Sequence, residues 1–312
     1  MGDVVELRFR AMGGEVHLIV VGGAVELADA GHRRINELER RWSRFIGSSE
    51  ISRLNERAGH ALEVSDDTVA LIERAVDAWR FTGGSFDPTV LGAMVRAGYD
   101  RSLDDVLADP RAGVSDLIIA CTDIEIDGNK VTIPRGSGFD PGGIGKGLAA
   151  DLVADELVVL GASGVCVNMG GDVRVLGEGP DRSGWTVAVD HPWLREPLVH
   201  VGVADGAVAT STTLLRRWTI DGVDRHHLID PRSGEPADTD LNLVTVVAGN
   251  AWAAEVLAKA VLIRGSAHPF DLIDGSGAQA LVVRDDGAVV VSHGFGRFCG
   301  SMPPPAFVRP EL

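Results

Sequence analysis

Four clusters in this 312-residue chain set glycine beside an isolated acid, lysine or histidine: Gly83-Gly84-Ser85-Phe86-Asp87-Pro88-Thr89, Asp140-Pro141-Gly142-Gly143-Ile144-Gly145-Lys146-Gly147, Asn168-Met169-Gly170-Gly171-Asp172 and His226-His227-Leu228-Ile229-Asp230-Pro231-Arg232-Ser233-Gly234. Glycine lets the backbone approach a bulky ligand with its N–H groups exposed, and a few charges among the glycines can then be set on phosphate. Lys146 follows Asp140 across Gly142, Gly143 and Gly145, so an ammonium and a carboxylate can face one ligand over bare backbone. The spacing is neither a Walker loop, which needs Gly-Lys-Ser/Thr, nor a Rossmann fingerprint. Read alone, it is equally a glycine-rich helix start with a surface lysine. Near neutral pH an imidazole such as that of His227 can contact phosphate or relay a proton, though a histidine at a strand end is also a common structural group. Ser211 precedes a polar turn and reads either as a contact or as a cap.

The composition narrows the function classes. Lys and Arg number 29 against 45 Asp and Glu, a formal charge of −16, which disfavours nucleic acid and anionic lipid as partners but leaves room for one local basic pocket. At 45% hydrophobic and 24% charged residues, the chain can bury a sizeable core, as one domain over 1–312 or as two intimately packed lobes. Cys121, Cys166 and Cys299 are widely spaced without a CxxC pair, the pattern of buried thiols and not of a disulfide framework or zinc site. Met1 to Arg10 lacks the basic start and apolar core of an export signal, and no apolar run reaches the roughly 20 residues of a spanning helix. The chain is therefore read as cytoplasmic.

These clusters need elements to hold them. Val16 to Val21 reads as a strand, and Glu26 to Ser43 as an amphipathic helix with Ala30, Ile35, Leu38 and Trp42 at helical spacing. Ser65-Asp66-Asp67 caps a second helix through Ala70, Ile72, Ala75, Val76 and Trp79, which stops at Thr82-Gly83-Gly84. A hairpin is predicted over Ile124–Ile133, and Asp140 to Gly147 feeds a helix from about Ile144 to Leu160, whose start is a ready anion site. Val165–Val175, with a bend at Asn168 to Asp172, and Trp185–Val189 read as buried strands. His226 to Ile229 ends a strand, Leu243–Ala248 is another, Ala251–Arg264 is an Ala/Val/Leu-rich helix, and Ala280–Val283 and Ala288–Val291 form a strand pair. Interleaved hairpins and helices predict an α+β fold with a mixed or antiparallel sheet.

The order of these motifs, from Met12-Gly13 to about Gly265, resembles the FAD:protein FMN transferase family, the ApbE-like flavin transferases, and several ordered motifs are far more specific than one glycine pattern. The resemblance implies a T-fold-like α+β domain that binds FAD, attaches FMN through a phosphoester to a Thr or Ser of an acceptor flavoprotein, and releases AMP. It implies that Met12 covers the flavin ring and that Phe45, Ser85, Phe86 and Asp87 contact it. Asp140 and Lys146 resemble its nucleotide contacts. Asn55 lies in Ser49-Glu50-Ile51-Ser52-Arg53-Leu54-Asn55, a stretch of the family's Ser-Glu-Ile-Ser-Arg-Leu-Asn type. His227 matches the His of a His-Ile-Ile-Asp-Pro-Arg-Thr-Gly motif in which Leu228 stands for the first Ile, and Thr210-Ser211 matches a Thr-Ser pair. Met12 and Phe45 could also be ordinary core residues.

The chain departs from the family at the implied magnesium site, built there from a backbone carbonyl of the glycine-rich turn and from Asp and Thr in an Ala-Asp-Ala-Leu-Ala-Thr-Ala-like helix. Gly143 can still offer a carbonyl, but the helix here reads Ala254-Glu255-Val256-Leu257-Ala258-Lys259-Ala260. Glu255 and Lys259, four apart, should be neighbours. Three readings follow: Lys259 replaces the metal as a cation clamp, the chain binds FAD without cutting it, or Lys259 only pairs with Glu255 on the surface.

Overall fold

The computed structural model describes residues 4–23 and 25–307. The chain divides into two compact units, one made of 1–36, 146–214 and 239–312, the other of 37–145 and 215–238. Among the described residues, no helix is long and apolar enough to cross a membrane.

The first unit is built on an eight-stranded sheet: Val4–Ala11, Gly14–Val21, Gly164–Met169, Asp172–Gly177, Gly206–Thr212, Leu241–Ala248, Gln279–Arg284 and Val289–Val291. Each strand lies beside its predecessor among these eight, and every pairing is antiparallel. The α+β expectation holds, with the sheet antiparallel throughout. The third and sixth strands, Gly-Val-Cys-Val-Asn-Met and Leu-Asn-Leu-Val-Thr-Val-Val-Ala, are buried along nearly their whole length, so both faces must be covered. The helices Gly145–Val159 and Ala251–Arg264, apolar nearly all round, belong to this unit. Another layer comes from the ribbon of Trp185–Val189 and Val199–Val203, whose Trp185, Val189 and Val201 join Val173, Val175, Val208, Leu281 and Phe295 in one cluster. Trp185–Val189 alternates between buried and exposed, which corrects the expectation of a fully buried strand: a two-stranded ribbon keeps one side in water.

Two tight hairpin turns end this sheet side by side. Ala11 pairs with Gly14 across Met12 (φ 51°) and Gly13 (φ 72°), and Met169 pairs with Asp172 across Gly170 (φ 65°) and Gly171 (φ 99°). Two successive left-handed residues match the right-handed twist of the flanking strands, which explains both glycine placements. The Gly170 N–H donates to the Glu15 carbonyl at 2.9 Å, linking the turns.

In the second unit the helices are Glu50–Glu56, Asp66–Phe81, Leu91–Arg96 and Leu103–Ala108, with a small antiparallel sheet of Leu62–Glu63, Lys130–Thr132 and Glu125–Asp127. Ser65 caps Asp66–Phe81 as expected, accepting from the Thr68 N–H. The buried stripe is Thr68, Leu71, Ile72, Ala75, Val76 and Ala78, so Ala70 and Trp79 lie beside it; Thr68 belongs to it because its hydroxyl accepts the Trp42 indole N–H at 3.1 Å. On the helix Val25–Trp42, the buried positions are Ala28, Gly31, Ile35, Leu38 and Trp42. Ala30 falls off that face, and Gly31 joins it because a Cβ there would stand 2.8 Å from Leu18.

Candidate functional site

In the first unit, four charged side chains converge. Lys146 opens the helix Gly145–Val159, Asp172 follows the Gly170-Gly171 turn, and Glu255 and Lys259 share one face of the helix Ala251–Arg264. The Lys146 ammonium donates to Asp172 Oδ2 and, at 3.1 Å, to Glu255 Oε1. Lys259 reaches the same Oε1 at 3.2 Å, and the Gly147 N–H donates to Oε2 at 2.9 Å. The expected i,i+4 neighbourhood of Glu255 and Lys259 is present, but Glu255 is only 1% exposed, so this is a buried network and not a surface pair. Burial alone would raise the Glu255 pKa. The ammoniums of Lys146 and Lys259 and the Gly147 N–H outweigh it and hold the carboxyl below its ordinary value.

Gly147 makes that geometry attainable. A Cβ there would stand 2.5 Å from the Ala251 carbonyl oxygen and 2.6 Å from the Trp252 nitrogen, so the two helices touch backbone to backbone at this point. The start of Ala251–Arg264 is also capped from outside. Asn250 supplies no side-chain cap, and Asp151 instead accepts the Ala251 and Trp252 N–H groups at 2.8 and 3.0 Å. Arg174 stands 3.2 Å from the same carboxylate and reaches Asp205 at 2.9 Å. Burial raises the Asp151 pKa to about 6 against the opposing pull of those N–H groups and Arg174. Met12 stands at its hairpin tip, partly exposed, and Ser211 is buried near the end of its strand.

The second unit holds the other residues singled out from the sequence. Asp140 is paired with Arg44 (Nε to Oδ2, 3.2 Å) and accepts the Gly142 N–H at 2.7 Å. The Arg44 guanidinium lies over the rings of Phe45 (4.2 Å) and Tyr99 (4.9 Å) and donates to the Tyr99 carbonyl. Asn55 makes a two-bond clasp on the Phe139 backbone, donating at 2.9 Å and accepting at 2.7 Å. Asp87 accepts from the Thr89 N–H at 2.7 Å and from its hydroxyl, and burial raises its pKa. The Phe86 N–H is held by the Thr82 hydroxyl, while Ser85 is partly exposed between them. Gly143 closes the 3-10 turn Pro141–Gly143. Of the adjacent histidines, His226 bonds the Ala237 carbonyl and the Leu228 N–H, and burial lowers its pKa. These bonds hold the turn in which His227 is half-buried and Leu228 is buried.

Asp140 and Lys146, read from sequence as two charges over one stretch of bare backbone, each have their own counter-ion. Those counter-ions, Arg44 and Asp172, are what sequence reasoning left unassigned, together with the brace Asp151–Arg174. Asp172 stood in a motif and Arg44 beside Phe45, but no local spacing pairs either with its partner.

This fold and these motifs define a family of flavin-handling enzymes. A sequence model of the ApbE family matches residues 1–282. The chain is 31% identical over 271 residues to the FAD:protein FMN transferase of Treponema pallidum, covering 79% of this chain and 74% of that one. It is 28% identical to the enzyme of that name from Vibrio cholerae, over 82% of this chain and 79% of the other. Among solved structures, the ApbE protein of Thermotoga maritima superposes with a TM-score of 0.83 at 25% identity, covering 96% of this chain and all of that one. The chain belongs to the ApbE family.

The magnesium that the family resemblance implies does not fit the residues present. Both Glu255 oxygens are already engaged by two ammoniums and an N–H, and magnesium takes near-octahedral oxygen ligands at about 2.0–2.1 Å. Among the described residues, no group of three or more His, Cys, Asp or Glu side chains is placed to hold a metal ion.

Proposed function

We propose that this chain is an FAD:protein FMN transferase: it binds FAD and moves FMN to a Thr or Ser of an acceptor protein, with release of AMP. The observation that carries the reading is the match to the ApbE family across residues 1–282, together with a charged cluster set at the glycine turn and helix start that the motifs mark. In the reaction, the acceptor hydroxyl oxygen bonds to the flavin-side phosphorus as the bridging P–O bond breaks. AMP leaves with the bonding electrons, and the hydroxyl gives up its proton.

Such a transfer needs in-line positioning and cationic stabilisation of the phosphoryl oxygens more than covalent help from the protein. In the first unit, the reading assigns Met12 to the flavin ring, Ser211 to a polar contact, and Lys146 and Lys259 to phosphate charge. In the second, it assigns Phe45, Asn55, Ser85, Phe86, Asp87 and Leu228 to the flavin and its surrounding loops, Asp140 to the nucleotide and His227 to the proton. Gly143 and Glu255, the candidate metal residues, act here through the turn and the ammonium pair. The residue Lys259 favours a second reading, a protein that binds FAD but has lost transfer, because it removes an oxygen ligand where the resemblance implies a metal.

Mass spectrometry of a peptide-tagged acceptor incubated with the protein and FAD separates the two. A gain of one FMN supports transfer. No gain alongside retained FAD binding supports the second reading.

A further inference from the structure

The Lys146–Asp172–Glu255–Lys259 network has a direction. Its acids lie at the buried end, Glu255 at 1% and Asp172 at 5% side-chain exposure, whereas Lys146 and Lys259 keep 15% and 14%. The lysines thus keep the larger share of the cluster's small exposure, in a chain whose overall charge is −16. Both lysines are also fixed before any ligand comes, Lys259 by its helix-face partner and Lys146 by two carboxylates. Two ammoniums anchored by two carboxylates beside a helix start form a cluster of no net charge in which the cations are the more exposed members, the groups that phosphate oxygens would meet.

We propose that this ammonium pair is the chain's own replacement for a divalent cation: it faces the phosphates of the bound flavin nucleotide, so that the nucleotide binds, and any transfer proceeds, without metal. The inference rests on the FAD-binding part of the reading above. The buried Glu255 carboxylate, which would be a metal ligand if Lys259 were a neutral oxygen donor, instead becomes the anchor of the cations.

The test uses the full chain and two probes, manganese(II), followed by electron paramagnetic resonance, and FAD, followed by flavin fluorescence. The wild type should bind no manganese, and its FAD affinity in EDTA and in millimolar magnesium should agree within about twofold, the scale of ionic screening. Lys259→Met should weaken FAD binding about tenfold or more in EDTA, and Lys259→Arg should recover most of that loss, since charge and not shape is lost. Glu255→Asp with Lys259→Thr should gain manganese binding and make FAD affinity sensitive to EDTA.

Stoichiometric manganese binding by the wild type would overturn the proposal, as would flavin binding or transfer that EDTA abolishes and magnesium restores. So would a double variant that retains its near-UV circular dichroism and gains no manganese. Metal-independent FAD binding with no FMN on the acceptor would leave this proposal standing and defeat the transfer reading alone. Absence of FAD binding under every condition would defeat both.

Discussion

Asp151 gives the sharpest quantitative test of how the site is held. It accepts the first two N–H groups of the helix that carries Glu255 and Lys259, and burial lifts its pKa from 3.8 to about 6. Between those values the folded chain holds a proton that the unfolded chain has released, so unfolding sheds a proton. The stability contributed by this group is complete below about pH 4 and is lost as pH rises through about 6. The shift is 6 − 3.8, roughly 2 units, which at 1.36 kcal/mol per unit makes about 3 kcal/mol. Asp151→Asn cannot titrate and removes this component while keeping one acceptor oxygen. Denaturant unfolding of both proteins, followed by tryptophan fluorescence from about pH 4 to about pH 7, isolates it, because titration of the other acids cancels in the difference. The wild type should lose about 3 kcal/mol relative to the variant across that range. A difference that stays flat with pH would refute the buried-carboxylate account of this cap.

Three further outcomes are expected. Gly147→Ala drives a Cβ to 2.5 Å from the Ala251 carbonyl and should lower stability by about 1–3 kcal/mol through forced separation of the helices; an unchanged Tm would contradict the close approach. Asp140→Ala strands the buried Arg44 and should cost about 3–5 kcal/mol, much of it recovered when Arg44→Ala is added, as a double-mutant cycle would measure; additive losses would mean that the pair is not coupled. His227→Ala should leave FAD affinity within about twofold and slow FMN transfer by about 100-fold or more, as expected of a proton-handling group. Equal weakening of binding and turnover would assign it to the ligand instead.

Much of the architecture is legible in local sequence because its signals are local. The Ser65 cap, the Gly-rich exit of its helix, the Asp127-Gly128-Asn129 hairpin and the apolar runs at Gly164–Met169 and Leu241–Ala248 are each set by propensity and burial within a few residues. The pairing of Glu255 with Lys259 follows from helix periodicity alone. Periodicity misplaced Ala30 because Gly31 earns its place on the buried face only through Leu18, a residue from another strand. Charge partnership between residues distant in sequence was not readable. Lys146 meets Asp172 and Glu255, Asp140 meets Arg44, and Asp151 caps a helix 100 residues away. Such contacts depend on where strands and helices come to rest, and only the folded chain brings oppositely charged groups within a few ångströms in a medium of low dielectric. Whether Glu255 is a surface acid or a buried anchor, and so whether its lysine is decoration or a fixed cation, was decided by tertiary packing, because burial turns a weak exposed ion pair into a carboxylate that must be satisfied.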